Sequence, residues 1–189
     1  MSFLEILLLS LALAADAFSV GAALGLRYRK PREVFRIAFH FGLFQALLPL
    51  LGGLLGGALL TYVESVDHWI AFGLLAFLGS RMIWSGLHND PNETPSVDLT
   101  RGWSLVGLSV AVSIDALAAG FTLPTADAPI GLAVAMFGLV AGLATLVAMR
   151  LAGSIARHIG SRVEVVAGIV LIGLGVKIVL EHTGVLTLA

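Results

Sequence analysis

Ala15-Asp16-Ala17-Phe18-Ser19-Val20-Gly21 and Ile114-Asp115-Ala116-Leu117-Ala118-Ala119-Gly120 are two versions of one phrase. Each places a carboxylate inside an apolar run, followed by small residues. A second pair follows the same logic: Leu78-Gly79-Ser80-Arg81-Met82-Ile83 and Leu174-Gly175-Val176-Lys177-Ile178-Val179. Short apolar matches arise by chance, but here each match carries an ionisable residue at the same register. The chain therefore reads as a duplication, with repeat one over about 1–88 and repeat two over about 103–189.

Outward from these phrases, the chain is almost entirely apolar. Of its 189 residues, 58% are hydrophobic and 12% charged, with mean hydropathy +1.00. Soluble domains are about one quarter charged. The bilayer is thus the solvent to reason in. A net charge of -1 with no basic stripe excludes a nucleic-acid partner. The absence of cysteine excludes disulfides, thiolate metal sites and thiol redox chemistry. No phosphate-cradling glycine loop is present, so the chain itself does not draw on a nucleotide. It reads as a transporter rather than an enzyme, with no resident cofactor.

A membrane-spanning helix needs about 17–25 mainly apolar residues. Six stretches qualify, at about 3–26, 35–60, 68–88, 103–124, 129–153 and 163–183. They are continuous and lack the roughly ten-residue alternation of outer-membrane strands. The fold class expected is an all-α membrane protein, a single transmembrane domain of six helices. Three helices per repeat is an odd number, so the second repeat enters the membrane in the opposite direction, as an inverted repeat. The first span reads as a retained helix, because its basic residues follow the apolar run. Those residues are Arg27, Arg29, Lys30, Arg32 and Arg36, and the positive-inside rule makes them cytoplasmic. Alternate threading adds Arg81, Arg101, Arg150, Arg157 and Arg162 to that side and leaves both termini external. Nothing in the chain specifies an oligomeric state.

A carboxylate at the bilayer centre costs about 2.5–3.5 kcal/mol on insertion scales. Asp16 and Asp115 are therefore expected to face a cation, a cavity or a partner. Two carboxylates on small-residue faces suit a hard divalent cation. A structural ion pair to Arg81 or Lys177 is the competing reading, and both cations are expected to avoid hydrocarbon. In span two, Pro49 has no N–H, which frees the Gln45 carbonyl; the Gln45 side chain adds a second oxygen in a helix expected to kink there. Thr145 takes the corresponding place in span five, counting from Gly42 and Gly142. The expected ion site is Asp16, Asp115, Gln45 and Thr145. Gly52, Gly53, Gly56 and Gly57 read as a close-packing face, His40 as a packed polar residue, and 88–102 as a solvated loop.

With these motifs the chain resembles the MntP family of manganese efflux pumps, bacterial inner-membrane proteins. The resemblance rests on Asp16-Ala17-Phe18-Ser19-Val20, Phe41-Gly42-Leu43-Phe44-Gln45-Ala46 with Pro49, and His68-Trp69-Ile70-Ala71-Phe72. It continues through Leu78–Ile83, Ser113-Ile114-Asp115-Ala116 and Gly173–His182. It covers nearly the whole chain apart from 88–102. The resemblance implies six helices, two related halves, export of Mn(II) from the cytoplasm, and a role for the aspartates at Asp16 and Asp115. The chain departs from the family at Ala14-Ala15, where Ser-Met is common, and at Gln45, where some members carry an acidic residue. Proton-coupled export of manganese is the reading. Export of another divalent cation, or of a small organic solute, is the alternative. An intramembrane aspartyl protease would also need two aspartates, but neither Gly-x-Gly-Asp nor Tyr-Asp occurs here.

Overall fold

The structure is a computed structural model that describes residues 1–55, 69, 72–73, 75–80, 82–84, 87, 98–123, 129–159 and 163–182. Its elements are α1 (Phe3–Arg27), α2 (Pro31–Leu55), α3 (Leu75–Trp84), α4 (Gly102–Val112), α5 (Ile114–Thr122), α6 (Ile130–Ile159) and α7 (Val163–His182). Among the described residues all regular structure is helical.

α1 begins with a reciprocal cap. Glu5 N–H donates to Ser2 Oγ at 3.3 Å, and Ser2 N–H donates to Glu5 Oε2 at 2.8 Å. Two otherwise unpaired donors are satisfied this way, a motif worth about 1 kcal/mol. α2 starts with Pro31 in its first turn, where a missing N–H costs nothing, so it begins before the expected position 35. α6 runs on to Ile159, past the expected 153. α1, α2 and α6 are long and apolar enough to cross a membrane, and α4 with α5 adds a fourth crossing if the bent pair is one span. The fold is thus an all-helical, multi-span one. Of the expected third span, 68–88, only part lies within the described residues, and Arg81 lies outside them.

Small residues set how the helices meet. α1 and α6 run in the same direction: Gly21 packs on Thr145 and, one turn on, Gly25 on Met149. A Cβ at Gly25 would lie 2.5 Å from Met149 Cα, so only glycine permits this approach. α2 crosses α6 in the opposite direction. There a Cβ at Gly42 would lie 2.7 Å from the Gly138 carbonyl oxygen, and one at Gly142 would lie 3.4 Å from that of Ala38. α3 and α7 also run oppositely, with Gly79 against Gly168 and Gly175 against Phe72. Gly52 of the expected close-packing face does pack closely, against the backbone of Leu117 and Gly120 on α5.

Span four differs from its expected form. Instead of one helix over 103–124, α4 and α5 meet at Ser113 with a bend of 45°. Ser113 N–H bonds back only three residues, to Val110 O at 3.0 Å, and Ser113 has φ −113° and ψ 11°. The sequence there, Ser109-Val110-Ala111-Val112-Ser113, mixes β-branched and serine residues, which give a helix little local support. α2, where a kink was expected, is assigned as one helix through Pro49.

At one end of the bundle the chain is latched. Leu99 N–H donates to Tyr28 Oη at 3.2 Å, and Leu99 and Thr100 are buried. Asp98 accepts from Thr100 N–H at 2.9 Å and from Thr100 Oγ1 at 2.6 Å, and pairs with Arg101 at 3.4 Å. Burial by itself would raise the Asp98 carboxyl. The Thr100 hydrogen bonds and the nearby Arg101 and Arg36 outweigh it and hold the carboxyl below its ordinary value.

Candidate ion site

α1 carries Asp16 half-buried on a face of small residues, with Ala14 and Ala17 buried beside it. Two polar side chains from other helices reach the α1 backbone on either side of it. Gln45, fully buried on α2, donates its Nε2 to the Leu13 carbonyl at 3.1 Å. Thr145, fully buried on α6, donates its hydroxyl to Ala141 O at 2.8 Å and approaches Ala17 O at 3.4 Å. The two side chains therefore bracket Asp16 along α1, one from α2 and one from α6.

The remaining oxygen of Gln45 has no partner. Oε1 is buried and accepts no hydrogen bond. An unsatisfied buried carbonyl costs about 1–3 kcal/mol, which makes it conspicuous in a core built mainly from aliphatic and aromatic side chains. Among the described residues one other buried side-chain atom shares that condition, Ser113 Oγ. Ser10, Ser19, Ser109 and Ser154 return their hydroxyls to their own backbone, Ser10 to Ile6 O at 2.6 Å and Ser109 to Leu105 O at 2.7 Å. The break at Ser113 takes that outlet away.

Asp115 is not in mid-helix, as expected from the apolar run around it. It lies in the first turn of α5, half-buried, with Oδ1 accepting from Ala116 N–H at 2.7 Å. A carboxylate at a helix N-terminus is favoured by the unpaired N–H groups and the dipole. α5 is fastened to α2 through the contact of Gly120 with Pro49. Pro49 thus does more than free a carbonyl: it sits where α2 touches the Asp115 helix. Ala116 shares a buried apolar cluster with Leu13, the residue that holds Gln45. The structure accordingly gathers Asp16, Gln45 and Thr145 on one stretch of α1, and ties the Asp115 turn to the same neighbourhood through Leu13 and Ala116. Both aspartates have polar or electrostatic partners in the structure.

Among the described residues no group of three or more histidine, cysteine or acidic side chains comes together as a metal centre. The groups that could meet a cation near this stretch of α1 are the Asp16 carboxylate and the neutral oxygens of Gln45 and Thr145. Ser113 was not singled out as a candidate from the sequence. A signal was there: serine two residues before an acid is a helix-start pattern, even inside an apolar run. His40 is satisfied by its own helix, its Nδ1 meeting Arg36 O at 2.8 Å. Lys177 is exposed on α7 and engaged in a contact.

The fold is that of a multi-span helical protein, and its relatives make its class a membrane transporter rather than an enzyme. The family model described as "Putative manganese efflux pump" matches residues 28–179. Proteins named "Putative manganese efflux pump MntP" are similar along nearly their whole length. The one from Syntrophotalea carbinolica is 42% identical over 177 residues, 93% of this chain and 94% of that one. That from Nitratidesulfovibrio vulgaris (strain DP4) is 43% identical over 186 residues, 96% and 92% of the two chains. That from Geobacter sp. (strain M21) is 45% identical over 185 residues, 97% and 98%. No solved structure matches. The chain belongs to the MntP manganese efflux pump family.

Proposed function

We propose that the protein is a secondary transporter that exports Mn(II) from the cytoplasm across the bacterial inner membrane in exchange for protons. Asp16 and Asp115 form the ion site, with neutral oxygens from Gln45 and Thr145. The observation that carries the reading is Gln45: its amide is anchored to α1 next to Asp16 while its buried oxygen is left without a partner. An acceptor left open beside a carboxylate is what a desolvated cation requires. Manganese, rather than another divalent ion, follows from the names of the relatives. Two carboxylates that release Mn(II) and take up two protons carry no net charge across the membrane, so a proton gradient suffices to drive the cycle.

The six spans form two inverted repeats in this reading. The packing contacts support it. Exchanging 42 with 142 and 38 with 138 turns the Gly42–Gly138 contact into the Gly142–Ala38 contact. Exchanging 79 with 175 and 72 with 168 does the same for Gly79–Gly168 and Gly175–Phe72. A two-fold axis through the α2–α6 crossing would produce both. The orientation, with both termini outside, is supported by the collection of Arg29, Arg32, Arg36, Arg101 and Arg150 around one end of the bundle.

The test is transport in everted inner-membrane vesicles. With an acid-inside gradient, vesicles holding the protein should accumulate Mn(II), and a protonophore should stop it. Accumulation that survives the protonophore removes the proton coupling. Absence of manganese movement, with movement of another cation or an organic solute, removes manganese as substrate.

A further inference from the structure

The outer face where α2 meets α6 carries a groove of about 460 Å³. Its walls are Phe35, Phe39 and Leu43 on α2 and Leu139 and Leu143 on α6, and its floor is lowered by Gly42, Gly138 and Gly142, which have no side chains to fill it. Phe35 and Phe39 stack with ring centroids 6.0 Å apart and make one wall continuous. The wall residues are exposed, so in a membrane this groove faces lipid. From 35 to 46 the groove follows α2 for eleven steps of about 1.5 Å, roughly 16 Å. One leaflet of hydrocarbon is about 15 Å deep.

The groove does not end blindly. Phe35 also lines a second pocket, of about 510 Å³, whose other sides are Pro31, Arg32, Arg36 and Arg101. Three guanidinium groups line it, and Asp98 outside the lining pairs with Arg101. Among the described residues that leaves an excess of two positive charges. A cationic pocket joined through Phe35 to an apolar groove one leaflet deep has the form of an amphiphile with an anionic head and a long chain.

We infer that this surface is a binding site for one anionic phospholipid, its phosphate held by Arg32, Arg36 and Arg101 and an acyl chain laid along the α2–α6 groove. Charge complementarity selects the head, and the length of the groove selects a membrane lipid over a soluble phosphate. The inference does not depend on which ion is transported.

Native mass spectrometry of the full chain released from nanodiscs tests this, with phosphatidylglycerol and phosphatidylcholine of matched chains supplied in equal amounts. Near a membrane surface each basic residue contributes about 1 kcal/mol toward an anionic lipid, so two net charges give about a thirtyfold preference. One phosphatidylglycerol should be retained per chain at about that ratio. The triple variant Arg32→Gln, Arg36→Gln, Arg101→Gln should retain both lipids equally. Leu143→Trp, which fills the groove and leaves the arginines in place, should lower retention of phosphatidylglycerol severalfold. Glycerol phosphate, the head without chains, should not displace the lipid. Equal retention of the two lipids by the unaltered protein overturns the inference, whether or not the triple variant folds. Displacement by glycerol phosphate overturns it too, in favour of a soluble-anion site, and so does unaltered retention in Leu143→Trp.

Discussion

Asp16 and Asp115 occupy the same place in two similar stretches of sequence and different places in two helices. Around Asp16, α1 is continuous from Phe3 to Arg27, and the carboxylate stands in mid-helix between turns held by Gln45 and Thr145. Ahead of Asp115 the helix stops at Ser113 and restarts, so the second carboxylate opens a half-helix and takes a backbone N–H from its own turn. The difference comes from short stretches of sequence. Leu13-Ala14-Ala15 before Asp16 has strong helix formers, whereas Val112-Ser113-Ile114 before Asp115 does not. The two phrases are alike in where the carboxylate falls, and local propensity sets what backbone surrounds each. A mid-helix carboxylate must draw its stabilisation from other helices or an ion. One at a helix start draws part of it from its own backbone.

The strongest way to break this comparison is to remove each charge in turn. Asp16→Asn and Asp115→Asn should each abolish export while the protein remains in the membrane, since asparagine keeps the size and one oxygen. A neutral amide cannot balance a divalent ion in a poorly screened medium. Membrane abundance and intracellular manganese, measured together in cells lacking other exporters, decide the matter. Normal abundance with high manganese fits the ion site. Low abundance would instead point to a structural ion pair, because its partner would be left as an uncompensated buried charge.

A smaller effect should follow from Gln45→Leu. It removes the open oxygen and a hydrogen bond worth about 1 kcal/mol, and leaves an apolar group of similar reach. Export should fall about tenfold with abundance retained. Unchanged manganese tolerance in this variant would remove Gln45 from the site and leave Asp16 bracketed by Thr145 alone.

Ser113 sharpens the comparison from the other side. Its hydroxyl has no hydrogen bond to lose. Ser113→Ala should therefore leave the thermal unfolding temperature unchanged or slightly raised, whereas Ser109→Ala, which breaks a bond to Leu105 O, should lower it. If the oxygen serves the ion, export by Ser113→Ala falls severalfold at full abundance. Full export would reduce the serine to a helix break.

The smallest expected effect lies outside the apolar helices. Asp98 has its carboxyl lowered in the folded protein, so the latch it supports is at full strength above the unfolded carboxyl value near 4 and weakens as pH falls through the folded one. The protection of the Leu99 amide against hydrogen exchange should decline across that acid range. Asp98→Asn should make the protection independent of pH there. Protection that declines equally in both proteins would separate the Tyr28–Leu99 contact from Asp98.

Much of the molecule is legible in its sequence because the bilayer leaves few choices. Backbone polar groups in hydrocarbon must be satisfied within the segment, so long apolar runs become helices; α1 and α7 match the apolar runs that foretold them within a residue, and α2 and α6 overlap most of theirs. The places of Asp16, Gln45 and Thr145 within apolar runs are also written in the order of residues. Other features were decided only by packing. Pro49 reads as a break, yet α2 carries it as one helix and uses it as a contact for α5. The actual break falls at Ser113, where no proline or glycine announces it. The open oxygens of Gln45 and Ser113 belong to this second group as well. Composition says that a polar atom is present, but whether it finds a partner depends on which backbone carbonyl or N–H a neighbouring helix brings within about 3 Å. That depends on how closely Gly21, Gly25 and Gly42 let the helices approach, and it exists only once they are assembled.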